Sequence, residues 1–264
     1  MPAQNRLNSR LAAILQRRKK ALALFLTAGF PAADATPGIA LALAEAGADV
    51  IEIGMPFSDP MADGPLIQES SVIALRNGVT ISGILEAVRS IRASSNVPVV
   101  LMGYLNPIFT YGPERFFMDA AASGVDGVIL PELTLEESSR FSTLTAERGL
   151  SQILLVAPTT PPERITAIDA VSSGFLYCVS TTGVTGSAGK GPPDEYLKRV
   201  RSCAKVNPLL VGFGISGAAA ARDAARCSDG VIIGSALIER LLRRDPIESV
   251  AAWVRSVRDA LALV

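Results

Sequence analysis

Short, continuously apolar runs rich in β-branched residues alternate along this chain with longer segments whose apolar positions recur at helical spacing. The apolar runs are Leu22 to Thr27, Val50 to Gly54, Val97 to Met102, Gly127 to Leu130, Gln152 to Ala157, Phe175 to Ser180, Leu209 to Phe213 and Val231 to Gly234. Continuous rather than alternating hydrophobicity marks strands covered on both faces, as in parallel sheets wrapped by helices. Helical candidates between them include Ile39 to Ala46, Leu135 to Glu147 and Ala218 to Arg226. A strict strand–helix alternation of this count predicts an α/β protein of the (β/α)8 TIM-barrel class. The structural rival is an open doubly wound sheet, which usually has a Gly-rich fingerprint after its first strand, and Ala28-Gly29-Phe30-Pro31 is not one. Ahead of the first strand, Leu7, Leu11, Ile14 and Leu15 predict an extra N-terminal helix covering that end of the barrel. Pro246 opens a last helix striped by Ile247, Val250, Trp253, Val254 and Val257. Both stripes read as packing.

An internal echo supports repeated units: Gly47-Ala48-Asp49-Val50-Ile51, Gly124-Val125-Asp126-Gly127-Val128 and Ser228-Asp229-Gly230-Val231-Ile232 each place an Asp just before a strand. The 264 residues suit one barrel domain spanning 1–264, since such barrels take about 250 residues as a unit. The 25 acidic and 25 basic residues balance, which leaves no electrostatic footprint for nucleic acid or a membrane surface. The one basic cluster, Arg17-Arg18-Lys19-Lys20, ends a helix-like segment and reads as solvated. Cys178, Cys203 and Cys227 are odd in number and widely spaced, so a disulfide framework is not expected and a reduced, cytoplasmic setting is. No signal pattern opens the chain, and each long apolar run is interrupted before the roughly 18 residues that a membrane helix needs. With no His and no clustered Cys, the usual transition-metal ligands are missing, and no catalytic metal is expected.

The chemistry concentrates in Asp49 to Pro65. Glu52 sits inside an apolar strand, and the loop after it holds Asp59 and Asp63. A carboxylate taken from water without a partner costs several kcal/mol, and no Lys or Arg lies within ten residues of Glu52. An ion pair or a strand-end Glu is the bland reading; an active site at the C-terminal ends of the strands is the functional one. Three further loops after strands are rich in Gly and hydroxyls: Ser180 to Gly186, Gly212 to Ser216, and Gly234-Ser235, where a helix is expected to begin. Together they read as a phosphate site, because Gly lets backbone N–H groups approach an anion and a helix N-terminus adds its dipole.

The Pro-Phe-Ser-Asp-Pro-Met-Ala-Asp-Gly-Pro core of Ile51 to Gln68, with Thr182-Gly183-Val184-Thr185-Gly186 and Gly212-Phe213-Gly214-Ile215-Ser216, resembles the tryptophan synthase α chain family over essentially the whole length. The resemblance implies retro-aldol cleavage of indole-3-glycerol phosphate to indole and glyceraldehyde 3-phosphate with no cofactor on this chain. It implies Glu52 as a mobile general acid/base and Asp63 as acceptor for the indole N–H. Burial should raise the Glu52 pKa, while Asp63, in a polar loop, should stay ionised. By the same resemblance Phe25, Tyr104, Tyr177 and Phe213 enclose the ring, and Gly186, Gly214, Gly234 and Ser235 hold phosphate. Thr185 closes over the site as part of a lid. A pyridoxal-phosphate-dependent β chain in an α2β2 assembly is the implied partner, with Met55-Pro56-Phe57 and Asn106-Pro107-Ile108-Phe109 as expected contacts. A standalone lyase, or a catalytically weak activator of the β chain, are the alternatives. The chain departs from the common family pattern at Glu132 (often Asp), Thr134 (often Pro) and Gly103 (often Thr), none of which removes a catalytic group.

Overall fold

The computed structural model describes residues 5–179, 194–212 and 214–264. Nine parallel strands form one sheet: β1 (Ala21–Thr27), β2 (Val50–Gly54), β3 (Val99–Met102), β4 (Gly127–Ile129), β5 (Ser151–Ile153), β6 (Leu155–Val156), β7 (Leu176–Val179), β8 (Leu209–Gly212) and β9 (Gly230–Ile233). Their order is β5-β4-β3-β2-β1-β9-β8-β7-β6. The two ends of that order, β5 and β6, are consecutive in the chain and are parted only at Leu154. There the ladder is interrupted because the Leu154 N–H donates to the Ser172 hydroxyl (3.1 Å) instead of to a strand. β5 and β6 are thus one predicted run read in two pieces, and an eight-unit barrel wrapped by helices results.

The helices lie close to where periodicity puts them: α2 (Ala35–Glu45), α7 (Leu135–Ala146) and α10 (Ala218–Ala225), with α1 (Arg6–Gln16) leading and α12 (Ile247–Leu261) closing. Their apolar stripes are buried, for example Val250, Val254, Val257 and Leu261 of α12. At the first helix Asn5 caps the N-terminus by accepting from the Leu7 and Asn8 N–H groups. The same side chain donates to the Asp126 and Gly149 carbonyls at 2.7 Å each, fastening α1 to the N-terminal rim.

The Asp echo has a structural job at that rim. Asp49 accepts the Leu22 N–H (2.9 Å), Asp126 the Val99 N–H (2.9 Å) and Asp229 the Leu209 N–H (2.7 Å). Each carboxylate therefore satisfies a backbone donor at the start of a neighbouring strand. An Arg neutralises each one: Arg10 and Arg258 at Asp49, Arg6 and Arg92 at Asp126, and Arg201 at Asp229. The rim opposite the candidate site is thus stapled by charge-assisted bonds. Among the described residues no helix is long and apolar enough to cross a membrane on its own.

Candidate functional site

β2 places Glu52 between Phe25 on β1 and Val100 on β3. The side chain is 1% exposed, and neither carboxylate oxygen has a hydrogen-bond partner among the described residues. Burial pushes its pKa up to about 8, and the nearby Asp63 charge adds to the rise. Glu52 is thus predominantly protonated at neutral pH, as expected of a carboxyl held in an apolar strand.

Asp63 lies two residues before α3 (Pro65–Arg76), a helix capped at Gly64 with Pro in its first turn. Pro is preorganised for that position, and the helix N-terminus favours a nearby negative charge. The Gln68 side chain donates to the Asp63 carbonyl at 2.8 Å, and the Asp63 N–H donates to the Pro60 carbonyl at 3.2 Å. The polar loop expected here proves to be half-buried, so desolvation raises the Asp63 pKa to about 6, against a hydrogen bond from Tyr104 that lowers it. Asp63 stays ionised at neutral pH, by a smaller margin than a solvated loop would give.

Tyr104 follows β3. Its hydroxyl accepts the Ala62 N–H at 3.0 Å and donates to the Asp63 carboxylate, and its ring lies 5.4 Å from that of Phe57. Phe25 leans over two glycines: a Cβ on Gly54 would fall 2.7 Å from its Cε2, and one on Gly234 3.3 Å from its Cβ. The Tyr177 ring on β7 lies over Gly212, where a Cβ would meet Cε1 and Cζ at 2.6 Å. Tyr177 is 4% exposed, and burial together with the Glu52 and Asp63 charges raises its pKa.

A pocket opens at this end of the barrel, lined by Phe25, Gly54, Met55, Asp63, Gly103 and Tyr104 among others. Asp63 faces it. Glu52 is not among its described lining and stands withdrawn in the barrel wall. α11 (Ser235–Leu242) begins at Ser235 with Gly234 as its cap, as its sequence predicts, and Gly214 has φ +73°. Phe25 thus links the carboxylate side to the Gly234 side of the barrel mouth. Thr185, Gly186 and Phe213 lie outside the described residues.

Some determinants are legible only in three dimensions. Gly54 and Gly212 make room for Phe25 and Tyr177; a Gly ending an apolar strand is the signal that points to such close approach. Gly103 makes room for Met55, since a Cβ there would fall 2.7 Å from the Met55 Cε and 2.9 Å from its Cβ. Met55 is accordingly buried at 4% exposure, which corrects its expected place in a partner contact. Pro56 and Phe57 remain half-exposed. Phe109 is 45% and Met61 85% exposed. Thr134 does the work of a helix cap for α7, accepting the Glu137 N–H at 3.3 Å while donating to that side chain at 2.9 Å. Among the described residues no group of His, Cys, Asp or Glu could hold a metal ion.

The family model described as tryptophan synthase alpha chain matches residues 11–260. The tryptophan synthase alpha chain of Citrifermentans bemidjiense is 44% identical over 262 residues, covering 97% of this chain and 98% of its own. That of Geotalea daltonii is 45% identical over 237 residues, 89% of each. Among solved structures, tryptophan synthase subunit alpha of Legionella pneumophila superimposes with a TM-score of 0.91 at 37% identity, covering 99% of this chain and 100% of that one. A chain of Mycobacterium tuberculosis tryptophan synthase gives 0.90 at 35% identity over 97% of this chain and 98% of its own.

Proposed function

The chain belongs to the tryptophan synthase alpha chain family, a lyase of tryptophan biosynthesis that cleaves indole-3-glycerol phosphate, and we propose that Glu52 and Asp63 divide its retro-aldol chemistry. Breaking the bond between the ring and the glycerol phosphate side chain needs a proton on ring C3, loss of the side-chain hydroxyl proton, and a home for positive charge at the ring nitrogen. Glu52, protonated at neutral pH because its pKa is raised to about 8, gives its proton to C3. The cation so formed keeps its N–H, which donates to the ionised Asp63. The Glu52 carboxylate then takes the hydroxyl proton as the carbon–carbon bond breaks. The bonding pair returns to the ring, neutralising it, and the hydroxyl-bearing carbon leaves as the aldehyde of glyceraldehyde 3-phosphate. Glu52 ends protonated again, so no proton is consumed and no organic cofactor or metal is called for.

The single observation that carries this reading is a carboxyl buried with no hydrogen-bond partner among the described residues, near enough to feel the charge of a second carboxylate that lines the pocket. Burying an unpaired acid is costly, and a side chain withdrawn into the wall reaches substrate by swinging toward the pocket. Phe25, Tyr104, Tyr177 and Phe213 enclose the ring in this reading. Gly186, Gly214, Gly234 and Ser235 hold the phosphate, and Thr185 belongs to the lid that excludes water. One barrel spanning 1–264 carries the activity. Family membership implies a β-chain partner, with pyridoxal phosphate on that partner and an α2β2 assembly. Exposed Met61 and Phe109, with Pro56 and Phe57, form the apolar contact. Phe109→Asp with Pro56→Asp is expected to abolish co-elution with a β chain, and a persisting complex removes these loops from the contact.

The test is indole release from indole-3-glycerol phosphate by the purified chain, alone and with a serine-saturated β chain. Slow release alone and a large rise on mixing is the expected result. Fast release alone with no rise would make the chain a standalone lyase, and silence in both conditions would leave an activator of the β chain.

A further inference from the structure

Glu132, in the loop after β4, accepts the Leu105 N–H through Oε1 at 2.5 Å. Leu105 is the first residue of α5 (Leu105–Tyr111), whose N-cap, Tyr104, has extended backbone (φ −99°, ψ 156°) and no side-chain cap bond of its own. The first N–H groups of a helix need acceptors from outside it, and here Glu132 reaches across from the neighbouring βα loop to supply one. One residue earlier, the Tyr104 hydroxyl accepts the Ala62 N–H at 3.0 Å and donates to the Asp63 carboxylate. Three loops, after β2, β3 and β4, are thereby tied in series.

We propose that Glu132 is a positioning residue for Asp63, fixing the end of the third strand so that the Tyr104 hydroxyl stays aimed at the carboxylate that receives the indole N–H. The proposal rests on the lyase reading for what Asp63 does, and on the hydrogen bonds alone for how Asp63 is held. The titratable groups around Asp63 are Glu52 from β2, Tyr177 from β7 and Tyr104 after β3, with Glu132 behind Tyr104. Burial dominates the upward shift of the Tyr104 pKa, and the Asp63 and Glu132 charges add to it, so its hydroxyl remains a donor. Tyr104 is the neighbour whose hydrogen bond favours the ionised form of Asp63 against desolvation. Misaiming it makes Asp63 easier to protonate. The Glu132 side chain is exposed, so truncating it leaves the core intact.

The test compares Glu132→Ala, Glu132→Gln, Tyr104→Phe and the Glu132→Ala/Tyr104→Phe double variant in the full chain. Two readouts are taken: the acid limb of kcat/KM for indole release, and the carbon-13 carboxyl titration of Asp63 without substrate. Tyr104→Phe is expected to move both upward by about one pH unit, the worth of one charge-assisted hydrogen bond. Glu132→Ala should move them part of the way in the same direction, and Glu132→Gln, which keeps an acceptor for the Leu105 N–H, should restore them. The double variant should shift no further than Tyr104→Phe. Unmoved titration in Glu132→Ala, whatever its Tm, overturns the proposal, as does full additivity with Tyr104→Phe. If the titration behaves as expected while the unsubstituted chain releases no indole, it is the lyase reading that fails.

Discussion

Replacing Glu52 by Gln should make the resting protein more stable above neutral pH while removing its chemistry. The folded chain holds this carboxyl at a pKa of about 8 against an ordinary value of 4.5, chiefly through desolvation. Well below pH 4.5 both states keep the proton and the group is neutral in each. As pH rises between those two values, the unfolded chain releases a proton that the folded chain retains, so unfolding is progressively favoured. Linkage puts the loss at about 3–4 kcal/mol between roughly pH 5 and pH 8. Gln has the same shape and no titration, and every other ionisable group is common to both proteins. The stability difference, Gln variant minus parent, should therefore grow by that amount over the interval, equivalent to about 10 °C in Tm for a chain of this size. Urea unfolding at four pH values measures it directly. A difference independent of pH would mean that Glu52 is solvated or paired in the folded state, and the argument from an unpartnered buried carboxyl would collapse.

Gly103→Thr should cost about 1–3 kcal/mol by overpacking against Met55, and adding Met55→Val should recover only part of it in the same melting assay, because it removes the Cε contact but leaves the Met55 Cβ 2.9 Å from the new Cβ. Gly212→Ala should drive the Tyr177 ring off its seat and lower kcat/KM on the order of tenfold to a hundredfold, because small displacements near reacting groups are costly. Its far-UV circular dichroism should be unchanged. Asp126→Ala strands the Val99 N–H and removes the anionic partner of Arg92 and Arg6, which keep only backbone carbonyls as acceptors. It should cost about 3–5 kcal/mol in urea unfolding and leave the kcat of the folded fraction intact, since the rim it staples lies at the other end of the barrel.

The barrel was legible because its strands are buried on both faces and read as unbroken apolar runs. Their ends shift by a residue or two: Val97 and Pro98 precede the ladder that begins at Val99. Leu154 was invisible as a break, because the Ser172 hydroxyl that interrupts the ladder there is 18 residues away. Glu52 could be read because a charge in an apolar run is a local anomaly. The link from Asp63 to Tyr104 could not, nor that from Leu105 to Glu132, since both depend on which loops the barrel brings side by side. The Asp echo was visible as a repeat, but its task of capping neighbouring strands needed the register. Asp63 was expected to stay ionised because its loop is polar in sequence; it does at neutral pH, although the structure half-buries it and raises its pKa to about 6.

The most direct test of the division of labour is single-turnover indole release by the unsubstituted chain, Glu52→Gln and Asp63→Asn, with binding of indole-3-glycerol phosphate measured on the same samples. The account predicts that both variants still bind the substrate while release falls by about a thousandfold or more, as loss of a general acid/base or of the group facing developing charge would give. Undiminished release from either variant would contradict it.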